Sequence, residues 1–165
     1  MVEQKRSGSR LSSNAQRVED ALRDLGFRHE VVEFPSATRT AAEAAQAVGC
    51  QVGQIAKSLV FRGQNTQRPI LVIASGSNRV NEQRMAEYVG EPLAKADADF
   101  VRHHTGFIIG GVPPLGHLER MEIFIDEDLM AHGEIWAAAG TPHAVFRLIP
   151  SDLARMTGGR VVTIK

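Results

Sequence analysis

Residues 69–75, PILVIAS, form a nearly unbroken apolar run of strand length. A run of this length is far too short to cross a bilayer, which takes about 20 apolar residues. It is also too uniform for a half-exposed strand, where apolar and polar residues alternate. It reads as a central strand buried on both faces, and such a strand needs other elements packed above and below it. A strand pattern over residues 55–62, IAKSLVFR, precedes it and is followed by the turn-rich stretch 63–68.

The covering elements can be read on either side. Leu11, Ala15, Val18, Leu22 and Leu25 fall on one stripe of an amphipathic helix, with Ser13 and Gln16 at capping-box spacing and Gly26 suited to end it. Thr40 with Glu43 opens a second, alanine-rich helix that stops at Gly49. Further helices are predicted over 81–89, over 97–104 with Asp97 as cap, and over 151–157 with Gly158 behind it. Strands are predicted over 28–34, 121–126, 144–149 and 160–164, with a brief turn at 128–130. The stretch 110–116 is too rich in glycine and proline for a helix or a central strand. The expected architecture is one α/β domain over residues 11–165, a mixed sheet with surrounding helices, preceded by a mobile arm over residues 1–10.

Composition removes several classes. A chain of 165 residues with 43% hydrophobic and 23% charged residues is one ordinary globular domain, neither disordered nor membrane-spanning. The lone Cys50 excludes a disulfide scaffold and a cysteine-based zinc site, and its own reading is a small, half-buried residue. The N-terminus has no apolar signal core, which places the chain in the cytoplasm. Nineteen basic residues balance nineteen acidic ones, so no broad positive field exists to draw in DNA, and a polyanionic partner needs a local patch. Only four of the basic residues are lysines: Lys5, Lys57, Lys95 and Lys165.

Two features carry possible chemistry. Lys57 lies in a strand pattern and, by alternation, shares a face with Ile55, Leu59 and Phe61. It either snorkels to water from the strand's start or holds a fixed positive charge at the rim of a pocket, suited to a phosphate or carboxylate. The loop FIIGGVPPLGH, residues 107–117, combines two glycines with Pro113 and Pro114. It is either a tight connection or a stiff set of exposed N–H groups able to stabilise an oxyanion. Other chemistries lack their motifs. There is no HExxH, no GxSxG, and no glycine-rich nucleotide loop, so neither a metal nor a nucleotide cofactor is expected. The adjacent His103 and His104 should diverge on their helix.

The succession IAKSLVF, PILVIASGSNRVN, TGFIIGGVPPLGH, IFIDEDL and GTPHAVFRLIPSDL resembles the YbaK family, the bacterial editing domains associated with prolyl-tRNA synthetase. The match runs from about Ala15 to the C-terminus. It implies a mixed α/β fold with a strongly bent sheet and an activity that hydrolyses the ester of a mischarged amino acid on tRNA. It also implies an aminoacyl-tRNA 3′ end as substrate and a prolyl-tRNA synthetase as partner.

Lys57 matches the family's lysine, which implies contact with the terminal nucleotide. Gly110 to Pro114 fits the GxxxP pattern of the catalytic loop, which implies that amides at Gly110, Gly111 and neighbours such as Val112 hold the carbonyl. Ser75, Gly76 and Asn78 resemble the pocket wall, and residues 140–146, with His143 and Val145, resemble the lining of the amino-acid pocket. Cysteine-directed relatives carry an acidic residue about where Val145 stands, and an apolar residue there favours a small aliphatic side chain. A module of the same fold that binds tRNA or a synthetase without turnover, and a hydrolase of small esters, stay open beside the deacylase.

Overall fold

The computed structural model describes residues 10–165, so the arm expected over residues 1–10 lies almost wholly outside the described residues. Eight strands form one mixed sheet: β1 (Val31–Glu33), β2 (Ile55–Gly63), β3 (Pro69–Ser75), β4 (Leu93–Lys95), β5 (Glu122–Asp126), β6 (Ile135–Ala138), β7 (Ala144–Leu148) and β8 (Arg160–Val162). Among the described residues five α-helices accompany them: α1 (Ser13–Asp24), α2 (Ala41–Val48), α3 (Glu82–Val89), α4 (Ala98–Thr105) and α5 (Pro150–Thr157). This is the mixed α/β architecture that the pattern of elements implies.

The strand order is β1-β7-β6-β2-β3-β5-β8, with β4 paired to β2 off this path. All seven residues of β3 are buried. Ile70, Leu71, Val72 and Ile73 have no solvent exposure, and each contributes roughly 1.5–3 kcal/mol of burial. Strand β3 runs antiparallel to β2 and parallel to β5, and its Leu71 and Ile73 pack into one apolar cluster while Ile70, Val72 and Ala74 pack into another, which accounts for the apolar character of both its faces.

The caps follow from side-chain chemistry. The Thr40 hydroxyl accepts from the Glu43 N–H, Asn81 accepts from Arg84 and Asp97 from Phe100. Helix α1 departs from expectation: its N-cap is Ser12, without a side-chain cap bond. Leu25 is 55% exposed because the helix has ended at Asp24, where the stripe no longer faces the core.

Strand β1 is confined to three residues, those that β7 pairs, and β8 to the three that β5 pairs. Strands β4 and β6 were not expected. Each is only three or four residues long and is defined by its partner rather than by its own periodicity.

The loop between β2 and β3 is held by Glu91, whose carboxylate accepts from the Thr66 N–H and hydroxyl, from Asn65 and from Arg68. These bonds, those from Thr66 foremost, hold the Glu91 carboxyl down to about 2. Because the folded value lies below the unfolded one, about 4.3, the resulting stability is present above that pH and lost as pH falls toward 2. Glu91→Gln is therefore expected to melt below the wild type at pH 7 and to converge on it between about pH 4 and 2. A gap in Tm that stays constant down to pH 2 would contradict this account.

Candidate active site

Strand β2 pairs with β3 along one edge from Ala56 to Arg62. On the opposite edge β6 pairs only with Ile55 and Ala56, and β4 takes over at Phe61 to Gly63. Between them, Lys57, Ser58, Leu59 and Val60 have no strand partner on that edge. The sheet is split there. A cleft of about 420 Å³ occupies the gap, bounded by β2, the segment entering α2, the end of β4, the glycine loop, and β6 with β7. In a strand, alternate residues turn their N–H and C=O toward each edge, so main-chain groups of this stretch face the cleft.

Lys57 lines the cleft, half-buried, and makes no ion pair among the described residues. The site thus holds a lysine whose charge no carboxylate neutralises. Gly110, Val112 and Val145 line the same cleft, as do Thr141, Trp136 and Ile55.

The glycine loop is shaped by one turn. The Gly111 N–H donates to the Ile108 carbonyl at 3.0 Å, and Gly110 at the third position has φ +91° while Ile109 has no positive φ, the pattern of a type II turn. This corrects the expectation for Gly111: its amide is already used inside the turn and is not free to hold a carbonyl. The Gly110 and Val112 N–H groups have no acceptor among the described residues. Both residues line the cleft, so these two loop amides are available to it.

Gly111 instead serves as a close-packing position. Its carbonyl accepts from Gly140 N–H at 2.9 Å, and a Cβ on it would lie 2.6 Å from Thr141 Cα. After the loop, the His117 Nε2 lies 2.7 Å from the Pro113 carbonyl. A carbonyl only accepts, so Nε2 carries the proton. Burial pushes His117 below its ordinary value, which keeps the ring neutral.

Several residues expected to touch substrate lie outside the cleft lining. Ser75 N–H and the Asn78 amide both donate to Asp126 Oδ2 at 2.9 Å, and Ser75 Oγ donates to the Gly53 carbonyl. A Cβ on Gly76 would overlap the Val52 carbonyl oxygen. The SGSN segment is therefore a latch that fixes the end of β3 beside the start of β2.

His143 likewise binds main chain: its Nδ1 lies 3.3 Å from the Phe34 carbonyl, and its own carbonyl accepts from Phe34 N–H. With the Thr38 bonds to Pro142, it ties the segment entering α2 to the turn before β7. Pro114 is buried in the loop beyond the cleft.

Two other reactive groups stand apart from the lining. Cys50 is half-buried, and burial together with the nearby Glu134 raises its thiol, which keeps it protonated. His103 and His104 do not diverge as expected. Their ring centroids are 4.9 Å apart, because His104 turns to Glu119 at 2.7 Å and packs on Phe100 at 4.2 Å. His103, His104 and Glu119 bring three potential ligand atoms within 4.8 Å of one another.

The positions that sequence reading missed in the cleft include Thr38 and Arg39 on the segment entering α2, and those carried by β4 and β6. Lys95, Trp136, Ala137 and Ala138 belong to strands that only their pairing with β2 and β7 defines.

Comparison with known proteins places these features in a group. The family described as "Aminoacyl-tRNA editing domain" matches residues 35–156. A solved structure described as "Crystal structure of a putative trans-editing enzyme for prolyl tRNA synthetase" superposes with TM-score 0.90 at 49% identity, covering 94% of this chain and 99% of that one. A Bacillus subtilis protein named "Uncharacterized protein YwhH" is 29% identical over 81% of this chain and 84% of its own length. A "Proline--tRNA ligase" of Limosilactobacillus fermentum is 33% identical over 70% of this chain, a match that spans 21% of the ligase.

Proposed function

The chain belongs to the aminoacyl-tRNA editing-domain family, and from that premise we propose that it is a free-standing deacylase acting in trans. Its substrate is the ester of a mischarged small amino acid on tRNA, with tRNA-Pro as the tRNA. The observation that carries this reading is the split in the sheet, which brings Lys57 and the unpaired amides of Gly110 and Val112 to one cleft.

An aminoacyl ester is already activated, so its hydrolysis calls for positioning and for stabilisation of the developing oxyanion. Lys57 anchors the 3′ end of the tRNA by charge. The Gly110 and Val112 N–H groups receive the oxyanion as the carbonyl becomes tetrahedral. The cleft lining contains no histidine, cysteine or carboxylate among the described residues. The attacking water is therefore activated by a substrate hydroxyl, such as the ribose 2′-OH, or by the surrounding hydrogen bonds.

Trp136, Ile55 and Val145 give the amino-acid end an apolar wall, which suits a small aliphatic side chain and disfavours a charged one. Ser75, Gly76, Asn78, Pro114, Gly111 and His143 hold the walls in place. The reaction belongs to the cytoplasm, alongside a prolyl-tRNA synthetase as partner.

The test is a deacylation panel on tRNA-Pro charged with alanine, cysteine, serine, threonine or 2-aminobutyrate. Turnover is expected to be fastest for the small aliphatic esters. Failure to hydrolyse any member of the panel, with binding of the tRNA end retained, would overturn the deacylase in favour of a non-catalytic module of the same fold.

A further inference from the structure

The cleft is lined by three cationic side chains, Lys57, Lys95 and Arg39, and by no carboxylate among the described residues. None of the three makes an ion pair among the described residues. In a chain with nineteen basic and nineteen acidic residues this is a local concentration of positive charge, and low-dielectric walls focus such a field on the cavity.

The register fixes two of the three. Lys95 stands opposite Phe61 across the β2–β4 ladder, which puts it on the face of β2 that carries Lys57. Four strand positions separate Lys57 from Phe61, about 13 Å. Arg39 enters from another wall, on the segment just ahead of α2. The three cations are drawn from two walls, a spread along the cleft. It suits successive charges along a backbone.

We propose that Lys95 and Arg39 form a phosphodiester subsite that receives the backbone of the single-stranded 3′ end, beyond the nucleotide that Lys57 anchors. This rests on the deacylase reading for its substrate. Lysine acts there as a point charge and arginine as a two-pronged donor, so the subsite grips phosphate without reading a base. A neutral protein thereby holds the tip of a polyanion through one concave patch and can release it.

The experiment compares wild type with the Arg39→Gln/Lys95→Gln double variant on three probes. These are aminoacyl-tRNA, the aminoacyl ester of adenosine, which lacks phosphate, and a labelled uncharged oligonucleotide ending in CCA. Both residues are exposed, so the variant is expected to fold.

The preference in kcat/KM for aminoacyl-tRNA over the adenosine ester should fall about tenfold or more, mainly through KM. The slope of log affinity for the oligonucleotide against log salt should flatten by about 1.4, from two lost contacts on a single strand. Arg39→Lys/Lys95→Arg should restore most of both. An equal loss on the phosphate-free ester, or an unchanged preference with an unchanged salt slope, would overturn the subsite. If the oligonucleotide shows the slope change while no ester is turned over by wild type, the subsite stands and the deacylase reading fails.

Discussion

Lys57→Ala is expected to lower kcat/KM for deacylation of the preferred aminoacyl-tRNA by about 100-fold or more, with a Tm within a few degrees of wild type. The first half follows from the role proposed for it. Lys57 is the cleft's charged group on β2, and removing one preorganised electrostatic contact in a water-poor site typically costs on the order of 10²–10³ in rate. The second half follows from its surroundings. The side chain is half-buried and has no ion pair among the described residues, so its loss strands no buried carboxylate there, the usual source of large destabilisation. Lys57→Arg separates charge from shape: the longer, planar group keeps the charge and changes its position, and should recover only part of the rate. Full activity in Lys57→Ala would remove the lysine from the mechanism.

The parts of the fold legible in the sequence are those fixed by local chemistry. The apolar run of β3, the caps at Thr40 and Asp97, and the glycines behind α2 and α5 each act within a few residues of chain. Strands β4 and β6 escaped because three or four residues carry too little periodicity, and their existence depends on β2 and β7 lying beside them.

The same distinction governs the site. Lys57 stands out because a charge in a strand pattern is conspicuous, and the glycine loop because of its composition. The split in the sheet cannot be read from either, since it arises where β6 stops and β4 has not yet begun. Ser75 and Asn78 looked like a pocket wall, yet their bonds run to Asp126, some fifty residues along the chain. The resemblance implies donors at Gly111 and its neighbours alike. Only the turn geometry shows that one amide is occupied and that its neighbours are free.

That turn geometry leads to the second large effect, expected from Gly111→Ala. The φ of Gly111 is not positive, so alanine is not excluded by its own backbone. The obstacle is contact: the added Cβ would lie 2.6 Å from Thr141 Cα and 2.8 Å from its carbonyl carbon, backbone atoms that cannot rotate aside. The loop must retreat from Thr141 by somewhat under about 1 Å to reach ordinary contact, and a displacement of that order at a reacting centre costs about 100-fold. Because the loop carries the Gly110 and Val112 amides, the loss should fall on kcat, with KM little changed. Overpacking of this kind also costs about 1–3 kcal/mol, a fall in Tm of several degrees. Gly133→Ala supplies the control, since a Cβ there meets nothing within 4 Å, and its rate and Tm should match wild type. A Gly111→Ala protein that melts lower yet deacylates at the wild-type rate would show that the loop packs against Thr141 for stability alone, and that the oxyanion is held elsewhere.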